Sequence, residues 1–175
     1  TICSWMTGSQ GTAVILDQEK VTAFVAGLAG KYDTAGTART FHTAGGRDVE
    51  ITGPYGWKLD VAGEVAALTQ LIQAGLGEGE QDREPVYAAT AASRSLPDWG
   101  NTYVEIDLTG QHVYMFQEGN LVWEAPCVTG NIAKNYNTPA GIYSLTYKEM
   151  DRILRGAKKA DGTYEYESHV DYWMP

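Results

Sequence analysis

The sequence is short of the residues that usually announce chemistry. It has two cysteines, Cys3 and Cys127, and three histidines, His42, His112 and His169, among 175 residues. No C-x-x-C or H-x-x-x-H spacing occurs, so the usual sequence signature of a transition-metal site is missing. Two distant thiols permit one disulfide without demanding it, and they do not fix a redox compartment. G-x-S-x-G, phosphate-binding loops and G-x-G-x-x-G are also absent. No apolar run approaches membrane-spanning length, and no signal peptide opens the chain. Lys and Arg number 13 against 22 Asp and Glu, for a net charge of −9 and a pI near 4.7. No basic cluster offsets that charge locally, which argues against a nucleic-acid partner.

What is present describes a globular chain of 19.1 kDa, 43% hydrophobic and 20% charged, able to bury a core. Thr1-Ile2-Cys3-Ser4-Trp5-Met6 has no initiator methionine, and Tyr172-Trp173-Met174-Pro175 is an unusually apolar ending. Chain ends are usually polar and frayed, so the expectation is an excised piece of a longer protein. A secreted or anchored parent, with its targeting segment upstream, stays open.

The front half reads as α+β. Asp17 is placed to cap a helix with Val21, Phe24, Val25 and Leu28 on one stripe and Gly30 as a stop signal. A second helix starts at Asp60, carries Val65, Leu68 and Ile72 on one face, and ends near Gly75. Between them, RTFHTAGGRDVEITG predicts two strands joined at Gly45-Gly46. GPYGWKLD puts Tyr55 and Trp57 on a turn, where they either stack on a glycan or close a core. Residues 76–84 suit a surface loop or linker.

From Thr102 the pattern becomes β-rich. Strands are expected at about 103–108, 111–117 and 120–127, then a fourth over Ile142–Lys148. A polar excursion with a turn at Asp161-Gly162 follows, and HVDYWMP resumes a strand. The fold class is thus α+β: a two-helix, small-sheet domain over residues 1–95, then an incomplete, mainly antiparallel β domain over 96–175.

The residues by themselves offer no catalytic constellation. Cys127 reads as a small apolar residue inside a strand rather than an activated thiol, and Cys3 likewise. His169 and Asp171 suit either a polar pair or simple strand alternation. The carboxylates, Asp98, Glu105 and Asp107 among them, look dispersed.

Residues 102–175 resemble the start of a YkuD-type L,D-transpeptidase catalytic domain. The resemblance rests on YVEIDLTGQHVYMF, EGNLVWEAPCVTG, NTPAGIYSL and VDYWMP, which fall in family order. It implies a parent that joins peptidoglycan stem peptides in two acyl-transfer steps. A cysteine thiolate attacks a donor stem and releases the terminal D-alanine, and an amine of a neighbouring stem then takes the acyl group. The family's nucleophile stands in a Ser-His-Gly-Cys motif downstream of Tyr-Trp-Met-Pro, and that motif is absent here. The resemblance therefore implies a piece with no catalytic residues and no activity of its own. Tyr172, Trp173, Met174, Thr138 and Gly141 are carried over as substrate-groove candidates, with plain packing the other reading. It implies no metal or organic cofactor, and carbapenems that acylate the intact parent. It also implies a location outside the cytoplasm, in the wall or anchored at the cell surface. Residues 13–90 resemble the peptidoglycan-binding domain that often precedes such catalytic domains, through VTAFVAGLAGKYDTAGTARTF and GPYGWKLD. The alternative for the whole is a non-catalytic wall-binding module.

Overall fold

A computed structural model describes residues 7–10, 13–75 and 82–175. Cys3 and most of the expected 76–84 loop fall outside the described residues. The chain forms two compact units, residues 1–142 and 143–175.

The first unit opens with a hairpin of β1 (Thr7–Gln10) and β2 (Ala13–Leu16). Helix α1 spans Gln18–Tyr32, and the Asp17 side chain accepts from the Lys20 amide at 3.2 Å, capping orphan donors of the first turn. Its core stripe is Val21 and Val25, both fully buried. The helix runs past Gly30 to a C-cap at Asp33, whose amide bonds the Ala29 carbonyl. Glycine lowers helix propensity by about 1 kcal/mol without forbidding the conformation, so Gly30 weakens the last turn and does not end it.

Strands β3 (Arg39–His42) and β4 (Asp48–Ile51) form the expected hairpin, with Gly46 at φ 77° in its turn. Strand β5 (Lys58–Leu59) pairs with β6 (Tyr87–Ala89), two short strands that the weak local pattern did not show. Helix α2 (Val61–Gln73) is capped by Asp60, which accepts from the Gly63 amide at 3.0 Å, and packs on α1. Its most buried side chain is Glu64, while Val65, Leu68 and Ile72 are half-buried. That carboxylate accepts from the Val86 amide at 2.9 Å and pairs with Arg83, which satisfies a charge that burial would otherwise penalise.

The three-stranded meander is present: β7 (Tyr103–Asp107), β8 (His112–Gln117) and β9 (Asn120–Pro126), all antiparallel in the order β7-β8-β9. Cys127 lies one residue beyond β9 and is half-buried, its amide bonded to the Gln111 carbonyl at 2.8 Å. The strand-interior reading of Cys127 is thus off by one residue, because the ladder to β8 closes at Pro126, opposite His112.

In the second unit the fourth strand is displaced. Residues 142–148 form no strand, and β10 runs over Glu149–Arg155 instead, paired with β11 (Glu167–Trp173). Register explains the shift. A seven-residue strand ending at Trp173 pairs with seven residues starting at Glu149, so the ladder begins at Glu149 and not within the apolar run before it. What read as a polar excursion is partly strand.

Candidate functional site

The densest polar cluster of the first unit gathers where a domain boundary was expected. Asp98 is 1% exposed. Its carboxylate receives two bonds from the Arg39 guanidinium, at 2.7 and 2.9 Å, and a third from the Thr34 hydroxyl. Arg39 also donates to the Tyr55 carbonyl at 2.7 Å. The Tyr55 hydroxyl accepts from the Ala92 amide at 2.8 Å. A buried charge is tolerated when it is paired and bonded, as the Asp98 carboxylate is, although the Arg39 Nε is buried without a hydrogen-bond partner. No local pattern betrays the pair, because its members lie 59 positions apart.

Trp57 and Tyr55 resolve toward packing. The Trp57 indole donates to the Ser93 carbonyl at 2.7 Å, the Arg94 guanidinium lies 4.2 Å from the ring centroid, and Tyr87 meets it edge-on at 5.0 Å. A ring covered in this way presents no free stacking platform. Gly56 between them is buried with φ 143°, and a side chain there would collide with the Ala35 backbone.

Glu105 and Asp107 project from the same face of β7. Glu105 is buried, and both its oxygens accept from the Ala44 amide, at 3.1 and 3.0 Å. Burial raises its pKa, against the pull of that amide. Asp107 accepts from the Gly110 and Thr109 amides at 2.9 Å each and from Arg47 at 2.8 Å. The amide bonds, led by Gly110, and the Arg47 charge hold its pKa down.

The groove candidates divide between the units. In the first, Thr138 is exposed and its hydroxyl accepts from the Gly130 amide at 2.9 Å, while Gly141 has φ 151°. In the second, Tyr172 is opposite Met150 and 67% exposed. Trp173 is half-buried, with its indole donating to the Tyr147 hydroxyl at 3.3 Å. Met174 is exposed. Each candidate is thus placed, Tyr172 to Met174 as one continuous stretch at the end of β11.

His169 has two carboxylate neighbours: Asp151 at 3.6 Å from Nε2 and Asp171 at 3.8 Å from Nδ1. All three are exposed. The His169–Asp171 pair was readable from alternation along a strand. Asp151 was not, because it arrives from the opposite strand at φ 55°, in a break of the ladder between Met150 and Arg152. His42 pairs with Asp48 at 2.7 Å and His112 with Glu124 at 3.1 Å. All three imidazoles are therefore partnered by carboxylates, and none by Cys127.

Residues 101–174 match the family described as “L,D-transpeptidase catalytic domain”, and residues 7–80 the family described as “Putative peptidoglycan binding domain”. Among solved structures, the chain is similar to a cysteine-to-serine mutant of the Enterococcus faecium L,D-transpeptidase. The two are 32% identical, with a TM-score of 0.72, over 97% of this chain and 65% of that one. It is similar also to the Ldtfm–avibactam carbamoyl enzyme, at 32% identity and a TM-score of 0.74, over 99% of this chain and 65% of that one. No curated protein matches. This chain is similar to the L,D-transpeptidases, with a segment that matches the peptidoglycan-binding family ahead of one that matches the catalytic family. It spans 65% of the length of these two relatives. No helix among the described residues is long and apolar enough to cross a membrane.

Proposed function

We propose that the whole protein is an L,D-transpeptidase that cross-links peptidoglycan stem peptides at the cell wall, outside the cytoplasm, through a cysteine acyl-enzyme. The observation that carries this reading is the 32% identity sustained across 97% of the chain with an L,D-transpeptidase, at a TM-score of 0.72. In this reading residues 1–95 form the peptidoglycan-binding domain and residues 96–175 the first part of the catalytic domain, with any membrane anchor upstream. Thr138 and Gly141 in the first unit, and Tyr172, Trp173 and Met174 in the second, are each read from their motifs as substrate-contacting residues.

The 175-residue chain itself is inactive in this reading. Acyl transfer needs a thiolate, a base that activates it and donors for the oxyanion. Cys127 is the thiol among the described residues. The three histidines are partnered by carboxylates, and the Cys127 amide is spent on the Gln111 carbonyl just beyond the β8–β9 ladder. Incubation with a carbapenem followed by intact-mass spectrometry tests the point. The expected result is an unmodified chain, and a stoichiometric adduct on Cys127 overturns it. The full-length protein is expected to gain one carbapenem, and a full-length protein that gains none overturns the transpeptidase assignment.

A second reading, a wall-binding module without catalysis, is favoured by the match over residues 7–80. Sedimentation of the chain with purified sacculi supports wall binding, and a chain left in the supernatant counts against it.

A further inference from the structure

The two segments match two different families, yet residues 1–142 form one compact unit that contains the whole of the first segment and the start of the second. The join is not confined to the connecting chain. Along the β3–β4 hairpin, contacts from four residues reach residues 98–107. The Arg39 guanidinium grips buried Asp98. The Phe41 ring lies 5.7 Å from both Trp99 and Tyr103. The Ala44 amide donates to the buried Glu105 carboxylate. The Arg47 guanidinium meets Asp107 at 2.8 Å. A single contact leaves a hinge, whereas contacts spread from Arg39 to Arg47 along one edge resist both rotation and sliding.

The hairpin is itself stiffened at its tip. The Arg47 amide donates to the Thr43 hydroxyl at 3.0 Å, and the Gly46 amide to the Thr43 carbonyl at 2.9 Å. The Ala44 N–H is thereby held toward Glu105. At the far end of the unit, the Ile142 amide returns to the Thr52 carbonyl at 3.0 Å, just beyond β4. Undocking the hairpin would strip a buried carboxylate of its donor and a buried aspartate of its guanidinium, so partial opening is disfavoured at several points together.

We infer that the β3–β4 hairpin and strand β7 form a clamp, and that it holds the peptidoglycan-binding-family segment and the first sheet of the catalytic-family segment in one fixed orientation. The first segment and the β7–β8–β9 sheet turn as a single body and are not joined by a tether alone. Glu105 and Arg47 are positioning residues in this clamp.

Residual dipolar couplings on the 15N-labelled chain test the inference. Amides of residues 18–75 and 103–126 are expected to fit one alignment tensor, with slow exchange at the Ala44 amide. In the R47A/E105A double variant the two groups need separate tensors, and Ala44 exchange rises about tenfold or more, the scale of losing a hydrogen bond to a charged group. Thr40→Ala, on the exposed side of β3, leaves both readouts unchanged. Should the double variant not fold, E105Q and R47Q taken singly are each expected to speed Ala44 exchange by a smaller factor. Two tensors in the unaltered chain, or Ala44 exchange that does not move in any folded Glu105 or Arg47 variant, would overturn the clamp.

Discussion

The two faces of the β7–β8–β9 sheet invert the usual rule of apolar in and polar out. One face carries Tyr103, Glu105 and Asp107 from β7, opposite Phe116, Tyr114 and His112. This mixed aromatic and acidic face is the packed one, with Glu105 buried and Tyr103 stacked on Phe116 at 5.0 Å. The other face carries Val104 and Ile106, opposite Met115 and Val113, then Trp123 and Ala125. It is apolar throughout, yet Val104, Ile106, Met115 and Trp123 are all at least 40% exposed. Alternation along a strand shows that two faces exist. It does not say which one is covered, because that depends on what lies above each. Here a partly charged surface is covered because the β3–β4 hairpin supplies a donor for each charge. An exposed apolar face of this extent marks a surface suited to further protein.

Breaking the covered side should cost most. Asp98→Ala removes one partner of a buried ion pair and strands Arg39, so a loss of about 3–5 kcal/mol is expected in denaturant unfolding. A loss under about 1 kcal/mol would mean that the Arg39–Asp98 knot is solvated. Next comes the ring cluster. Phe41→Ala should cost about 2 kcal/mol, from a half-buried ring and its edge contacts, read as a lower midpoint at constant slope.

The pH dependence sharpens the comparison within β7 itself. Glu105 is raised by burial above its ordinary value of 4.5, so the folded state holds its proton more tightly than the unfolded chain. Stability from this group is fully present below 4.5 and declines as pH rises through the raised value. Asp107 is lowered from 3.8 and behaves oppositely: its contribution is present above that value and fades as pH falls through the lowered one. Thermal unfolding of E105Q and the unaltered chain should therefore diverge in favour of E105Q as pH rises from about 4 to about 7. A constant difference would show that Glu105 titrates normally.

The smallest effect should come from the open face. Trp123→Ala is expected to change stability by no more than about 0.5 kcal/mol in this chain, although it removes the largest side chain of the sheet. A loss comparable to that of Phe41→Ala would show that the face is covered in solution.

Much of the fold was legible because its signals are local. Asp17 and Asp60 cap the helices they precede, Gly46 turns the hairpin, and period-two alternation marks the meander. The misplaced fourth strand was not legible. Residues 142–148 have as good a β composition as 149–155, and only the partner strand from Glu167 to Trp173 chooses between them. The candidate site divides in the same way. Thr138, Gly141 and the Tyr172–Met174 stretch came from motif order alone, whereas the Asp151–His169–Asp171 cluster needed a cross-strand register.

By itself, then, the sequence determined the helices, their N-caps, the tight turns and the family order of its motifs. These depend on neighbours within a few positions, where the backbone leaves little choice. The tertiary structure alone decided which carboxylates are buried, which sheet face is covered and where the last hairpin pairs. Asp98 and Glu105 look merely dispersed in sequence, and nothing local marks Glu64. Each becomes a structural charge because a donor from 59, 61 or 19 positions away satisfies it in the fold.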